Sequence, residues 1–213
     1  MTSRIVIIGG GQAGGWAAKT LRDEGFDGEI CVVAEEEWDF YERPPLSKAS
    51  LLEQDAALPR LFTDEAQRSL NLTWYRPLRA EQIDREAKTV RLSSGEHLSY
   101  NILLIATGGR ARLPGEAWAA HPQVYTLRHW QDAQRLKSRL AESRTLAIVG
   151  GGWIGLEIAA SARRSGVAVT LFEQQPALCM RSVSAEVSQR LEALHREQGV
   201  DIRTGCGALE LED

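Results

Sequence analysis

The chain has 213 residues, with 29 acidic against 25 basic side chains and a formal charge of −4. That acidic balance gives no support to a nucleic-acid or membrane-surface role, and no apolar run approaches the roughly 20 residues of a membrane span. A hydrophobic content of 43% with 25% charged residues is that of a globular protein able to bury a core in one or two domains.

The start, Met1-Thr2-Ser3-Arg4, runs straight into a strand-like segment, so no secretion leader is expected and the expected location is the cytoplasm. Residues 4–8, 12–25 and 30–35 read as strand, helix, strand. Tyr41-Glu42-Arg43-Pro44-Pro45-Leu46-Ser47-Lys48 follows, where two adjacent prolines exclude a helix interior or central strand and should hold the chain extended. Short strands are expected at 72–75, 78–84 and 88–92, the last two forming a hairpin around Asp84-Arg85-Glu86. Leu103 to Gly109 reads as a buried strand ending in a tight turn. Pro114 and Pro122 mark an irregular crossover, and Asp132 to Leu140 a helix. Strand, helix, strand then recurs at 145–149, 153–165 and 167–173. An amphipathic helix over Ser184–Gln198 and a short strand at Val200–Arg203 come next. The last residues, Glu210 to Asp213, read as part of a further strand or hairpin.

The most informative pattern is the repetition. Ile5-Val6-Ile7-Ile8-Gly9-Gly10-Gly11-Gln12-Ala13-Gly14 and Leu146-Ala147-Ile148-Val149-Gly150-Gly151-Gly152-Trp153-Ile154-Gly155 each carry three spaced glycines after an apolar strand and before an Ala-rich helix. In such a unit the first glycine makes the turn and the second lets the backbone approach a dinucleotide pyrophosphate. The third lets helix and strand pack closely, with the helix N-terminus facing the phosphates. An acidic residue at the end of the next strand, Glu35 or Glu173, is placed to bind ribose hydroxyls. The alternative is a plain α/β crossover in which the glycines serve the turn alone. Glu173 is followed by neutral Gln174 and Gln175, which favours NAD over NADP.

Cys31, Cys179 and Cys206 form neither a CxxC nor a CxxxxC pair, which argues against a local redox disulfide or a cysteine-held metal. Cys31, inside an apolar run, should behave as a small buried hydrophobe. The four histidines are scattered and read as structural or solvated, with no metal site implied.

The two glycine fingerprints, Arg43-Pro44-Pro45-Leu46-Ser47-Lys48, Ala106-Thr107-Gly108, Leu127-Arg128 and Gly150 to Glu157 together resemble the N-terminal half of FAD- and NADH-dependent ferredoxin reductases. Within that family the resemblance points to the reductase subunits of bacterial aromatic-ring dioxygenases of the phenylpropionate type, with putidaredoxin and rubredoxin reductases as relatives. It runs from Arg4 to about Gly205. It implies an α/β chain of two Rossmann-like three-layer units: an FAD-binding domain over 1–113 that lacks a returning segment, and an NAD-binding domain over 114–213 that is incomplete at its C-terminus. By the same resemblance Gly9, Gly11, Gln12, Ala13, Gly14, Glu35, Arg43, Lys48, Ala80, Ala106, Thr107, Gly108 and Arg128 serve FAD. Gly150, Gly152, Trp153, Ile154, Gly155, Glu157 and Glu173 serve NAD(H).

Lys48 and Glu157 are the expected catalytic pair. A cation beside the flavin ring stabilises its reduced, anionic form, against the plain reading of Lys48 as a surface lysine. Glu157 is expected in the first turn of the second helix, either favoured there by the helix dipole or placed near the nicotinamide and paired with Lys48. Thr107 and Gly108 have an ordinary strand-end turn as their alternative. Trp153 has two readings, a nicotinamide cover or a packing aromatic, and Trp16 is expected in the core.

The implied reaction passes hydride from NADH to FAD and then electrons to a [2Fe-2S] ferredoxin in aromatic hydrocarbon catabolism. The alternatives are another flavin reductase or NADH oxidase, or a fragment that is inactive without a complementing C-terminal half. Replacing Glu173 with Ala should weaken NADH binding and relax the preference for NADH over NADPH; equal use of both by the parent chain would contradict this reading.

Overall fold

The computed structural model describes residues 3–206; the strand or hairpin expected at Glu210–Asp213 lies outside them. In chain order the elements are β1 (Arg4–Ile8), α1 (Gln12–Asp23), β2 (Glu29–Val33), a 3₁₀ turn (Pro44–Ser47), α2 (Ala49–Leu52), α3 (Asp64–Ser69) and β3 (Leu72–Tyr75). They continue with β4 (Ala80–Asp84), β5 (Thr89–Leu92), β6 (His97–Ser99), β7 (Ile102–Ile105), α4 (Glu116–Ala120) and α5 (Trp130–Glu142). The last are β8 (Thr145–Val149), α6 (Trp153–Arg164), β9 (Ala168–Glu173), α7 (Ala185–Glu197) and β10 (Val200–Thr204).

Two compact units result. One comprises Met1–Arg43 with Pro59–Arg110, the other Pro44–Leu58 with Ala111–Asp213. The segment Pro44–Leu58 thus clusters with the second unit, although it falls within the sequence range 1–113.

In the first unit a parallel sheet runs in the order β3-β2-β1-β7, with Ile5 opposite Ile30 on one side and Ile102 on the other. Alternation along β1 and β2 divides the apolar side chains between two faces. Ile5, Ile7, Ile30 and Val32 pack with Ala18 of α1, Phe40 and Leu70. Val6, Ile8, Cys31 and Val33 pack with Val90, Leu92 and Leu98 of the small antiparallel sheet β4-β5-β6. The three layers are therefore helix, parallel sheet and antiparallel sheet. The turn between β4 and β5 is held by Asp84, whose Oδ1 accepts from the amides of Glu86 and Ala87.

In the second unit β10-β9-β8 form a parallel sheet, with Leu171 opposite Ile148 and Ile202. Helix α6 packs on β8 and β9, and α7 on β10. Ser184 starts α7, its hydroxyl accepting from the Val187 amide. Asp132 starts α5 by accepting from the amides of Arg128 and His129.

Three expectations are corrected here. The strand expected to be buried from Leu103 is β7, at one edge of its sheet among the described residues, with Ile102 and Ile105 exposed. The Pro44-Pro45 segment is a 3₁₀ turn and not extended: proline's fixed φ suits either conformation, and the Lys48 amide closes the turn on the Pro45 carbonyl at 3.0 Å. Trp16 is 52% exposed, its ring edge-on to Phe62, because the buried face of α1 is the one carrying Gly14, Gly15 and Ala18. Among the described residues no helix is long and apolar enough to cross a membrane.

The third glycine of each repeat is a steric requirement. A Cβ on Gly14 would lie 2.2 Å from the Gly9 carbonyl oxygen, and one on Gly155 would lie 2.1 Å from that of Gly150. Gly14→Ala should therefore cost about 4 kcal/mol or more in a denaturant melt. Gly25→Ala, at a positive φ but with nothing within 4 Å, should cost roughly 1–2 kcal/mol. Equal losses would show that helix–loop contact is not the constraint.

Candidate functional site

Each glycine repeat ends its strand in the same way. The Gly9 amide bonds to the Val33 carbonyl at 2.8 Å, and the Gly150 amide to the Phe172 carbonyl at 2.8 Å. Gly9 and Gly150 have φ of 129° and 112°, which L side chains rarely adopt. The middle glycines differ. Gly11 and Gly152 stand just before α1 and α6 with φ of −90° and −83°, values open to any residue. A Cβ on Gly152 would meet nothing within 4 Å, and one on Gly11 would meet only Arg43 Nη2 at 3.9 Å. Among the described residues, neither backbone nor packing requires glycine there.

In the first unit Gln12 and Ala13 open α1, and Ala106 bonds through its amide to the Ile8 carbonyl, bringing Ala106-Thr107-Gly108 alongside the glycine turn. A Cβ on Gly9 would sit 2.1 Å from the Ala106 carbonyl oxygen. The guanidinium of Arg43 reaches the Gly11 side of this turn, held by Glu36 at 3.0 Å and by the Tyr41 hydroxyl at 3.1 Å. Glu35 stands two residues past β2, with Arg110 at 2.7 Å and Arg79 at 3.4 Å. Ala80 begins β4, next to Arg79, and packs against the cluster that includes Val33, Val90 and Leu92.

In the second unit Glu173 ends β9, and its carboxylate accepts from the Gly151 amide at 2.6 Å and the Gln175 amide at 2.7 Å. Trp153 and Ile154 open α6 and are 48% and 55% exposed. Glu157 is the fifth residue of α6, beyond the first turn where the helix dipole acts. What holds it is Lys48: the ammonium lies 2.7 Å from Glu157 Oε2 and also donates to the Pro44 carbonyl at 3.1 Å. The Ser47 hydroxyl donates to the same oxygen at 2.5 Å. Arg128 is half-buried ahead of α5, a helix that packs on α2 and the 3₁₀ turn. The residues expected around FAD are thus divided, Lys48 and Arg128 in the second unit and the rest in the first.

Burial alone would raise the pKa of Glu157, but the hydrogen bonds from Lys48 and Ser47 together hold it below the ordinary value of 4.5. Burial and the nearby Glu29 carboxylate push the Cys31 thiol up to about 12, which makes it inert at neutral pH. No group of His, Cys, Asp and Glu among the described residues could hold a metal ion. The His195 ring nitrogens lie 2.8 Å and 3.2 Å from the carbonyls of Leu191 and Leu156, to one of which a neutral imidazole donates.

Ser47, Ser161, Glu36 and Tyr41 belong to this machinery without having been singled out by sequence. Ser47 and Tyr41 lie inside the Tyr41–Lys48 stretch that the sequence marked as a motif, whereas Ser161 left no signal.

The family model described as "Pyridine nucleotide-disulphide oxidoreductase" matches residues 3–213. The chain is 42% identical over 211 residues to the ferredoxin–NAD(+) reductase component of the p-cumate 2,3-dioxygenase system of Pseudomonas putida, covering 99% of this chain and 52% of that one. Among solved structures it is similar to the ferredoxin reductase of the CYP199A2 system from Rhodopseudomonas palustris, with a TM-score of 0.93 and 31% identity over 99% of this chain and 52% of that chain. The reductase in a covalent putidaredoxin reductase–putidaredoxin complex matches with a TM-score of 0.87 and 37% identity, over 96% and 51%. The chain spans about half the length of the relatives it matches.

Since its folded pKa lies below the unfolded one, Glu157 contributes stability that is complete above about 4.5 and lost as pH falls through the lower folded value. Glu157→Gln should flatten that part of the acid limb in melts followed against pH. An unchanged limb would mean that the Lys48 pair does not bear on folding.

Proposed function

The chain belongs to the pyridine nucleotide-disulphide oxidoreductase family, and we propose that its first glycine turn takes FAD, its second takes NADH, and that together they serve hydride transfer in an NADH-dependent ferredoxin reductase. The observation that carries this reading is the open ground over Gly11 and Gly152, where a glycine is kept at an ordinary φ with no protein atom close enough to demand it. A pyrophosphate approaching the helix N-terminus gives both glycines a reason.

Bound FAD supplies a two-electron acceptor that releases electrons one at a time. The chain's own residues do the rest by position and charge. The amides at the start of α1, with Arg43 beside Gly11, neutralise the FAD pyrophosphate; Glu35 takes its ribose; and Ala80, Ala106, Thr107, Gly108 and Arg128 line its path. Gly150, Gly152, Gly155 and Ile154 form the NADH pyrophosphate turn, and Glu173 takes the adenine ribose. Trp153 and Glu157 would hold the nicotinamide end of NADH. Lys48 offsets the negative charge of the reduced flavin ring, and Glu157 fixes where that ammonium stands. No side chain needs to act as nucleophile or transfer a proton. The relatives' names support a ferredoxin as the acceptor; that it is of the [2Fe-2S] type, in an aromatic-ring dioxygenase system in the cytoplasm, is our reading from the sequence resemblance.

A second reading, action only with a complementing chain, is favoured by β7. This strand forms one edge of its sheet among the described residues, with Ile102 and Ile105 56% and 61% exposed. The test is a visible spectrum of the chain mixed with FAD, before and after anaerobic NADH. Flavin bands that survive gel filtration and bleach with NADH are expected. Gly11→Ala should lose the flavin and Gly152→Ala should keep it without bleaching, both with thermal melts close to the parent. A parent chain that takes up no FAD would overturn the proposal for this chain alone, and bleaching restored by an added C-terminal half would favour the second reading.

A further inference from the structure

The pairing of Lys48 with Glu157 leaves a question of orientation. Two flexible, partly exposed side chains, 50% and 32% accessible, would ordinarily sample several arrangements, since exposed ion pairs barely repay the entropy of holding them. Here two serines of the same unit remove that freedom. Ser47 is 4% exposed and its hydroxyl ends on Glu157 Oε2, the oxygen that also receives Lys48. Ser161, also 4% exposed, lies one turn along α6 from Glu157 and donates to the Ser47 carbonyl at 2.7 Å. The bonds close a loop: α6 holds the backbone of residue 47 through Ser161, and residue 47 holds the Glu157 carboxylate of the same helix.

Because Lys48 directly follows Ser47, fixing the Ser47 carbonyl also fixes the peptide from which the lysine departs. Lys48 itself is anchored to the Pro44 carbonyl at the start of the turn. Both donors occupy Oε2, and Oε1 accepts no hydrogen bond among the described residues, so the carboxylate has one tied and one open oxygen.

We infer that Ser47 and Ser161 are positioning residues that lock the Glu157 carboxylate, and through it the Lys48 ammonium, in one orientation before any nucleotide binds. The inference deepens the hydride-transfer reading and rests on it for its purpose, but its geometry belongs to the chain alone. A serine suits both places because it is short enough to be buried and can donate one strong bond to a carboxylate or carbonyl. Alanine would leave a buried carbonyl or a half-buried carboxylate short of a partner.

The test follows the Glu157 side-chain carboxyl by ¹³C NMR against pH in the nucleotide-free chain, the signal being assigned by its loss in Glu157→Gln. Lys48 is the charged side chain that bears on this titration. Among the elements packed on α6, β9 brings Glu173, bonded to the Gly151 and Gln175 amides, and α7 brings His195, beside the carbonyls of Leu191 and Leu156. In the parent the curve should lie below 4.5. Ser47→Ala should move it upward, and Ser47→Thr, which keeps the hydroxyl, should restore it.

Ser161→Ala should also move it upward, although Ser161 makes no hydrogen bond with either charged group. If Ser47→Ala does not fold, Ser161→Ala decides alone. Curves of the folded alanine variants that overlay the parent's would overturn the inference. The two readings fail separately. A shifted curve in a chain whose bound flavin NADH cannot bleach leaves the lock standing and removes hydride transfer. Overlaid curves with normal bleaching do the reverse.

Discussion

A helix can begin directly over the turn that feeds it only where no side chain stands between them. Gly14 against Gly9 and Gly155 against Gly150 meet that condition with nothing to spare, since a single Cβ would overlap a carbonyl oxygen. Much else depends on this contact. It aims the free amides of α1 and α6 into open space beside Gly11 and Gly152. In the second unit Glu173 reaches the Gly151 amide of its turn, and in the first Ala106 lies against Gly9 of the same loop. A larger residue at either third position would lift the helix off and scatter all of these groups at once.

Charge is distributed around the two turns with a clear division of labour. In the first unit it is the arginines that gather: Arg43 is braced by Glu36 and Tyr41, while Arg79 and Arg110 flank Glu35. In the second unit the turn itself carries no basic side chain, and the cation comes from Lys48, tethered by a 3₁₀ turn and balanced by Glu157. The proline pair matters because it makes a short, stiff turn whose carbonyl holds the lysine head. A flexible turn would leave the ammonium free to move into solvent.

Most of the parallel strands and the long helices were legible in the sequence, because an apolar run followed by spaced glycines and an Ala-rich stretch admits few other folds. The short elements α2, α3, α4 and β6 were not, since three to six residues carry too little periodicity to separate them from loops. Trp16 misled because aromatic character says nothing about which helix face is buried; the small residues Gly14, Gly15 and Ala18 decide that. The pairing of Lys48 with Glu157 was open to inference only through family resemblance. Ser161 stayed hidden because its partner, the Ser47 carbonyl, is a backbone atom far away in sequence. A hydrogen bond between a common residue and a distant peptide leaves no pattern to read.

The two repeats differ by one residue in where the acid stands. Strand register sets Val33 against Ile8 and Phe172 against Val149, so the residue matching Glu173 is Ala34, and Glu35 comes one step later. Ala34 faces Gly10 with a bare methyl, whereas Glu173 grips the Gly151 amide. The second turn is therefore braced by the acid that ends its own second strand, while in the first, among the described residues, the acid is turned toward arginines. A ligand entering the second turn would meet a carboxylate already shared between two backbone amides, so the position of that acid is set before the ligand arrives. A ligand entering the first would instead compete with two guanidinium groups for its acid.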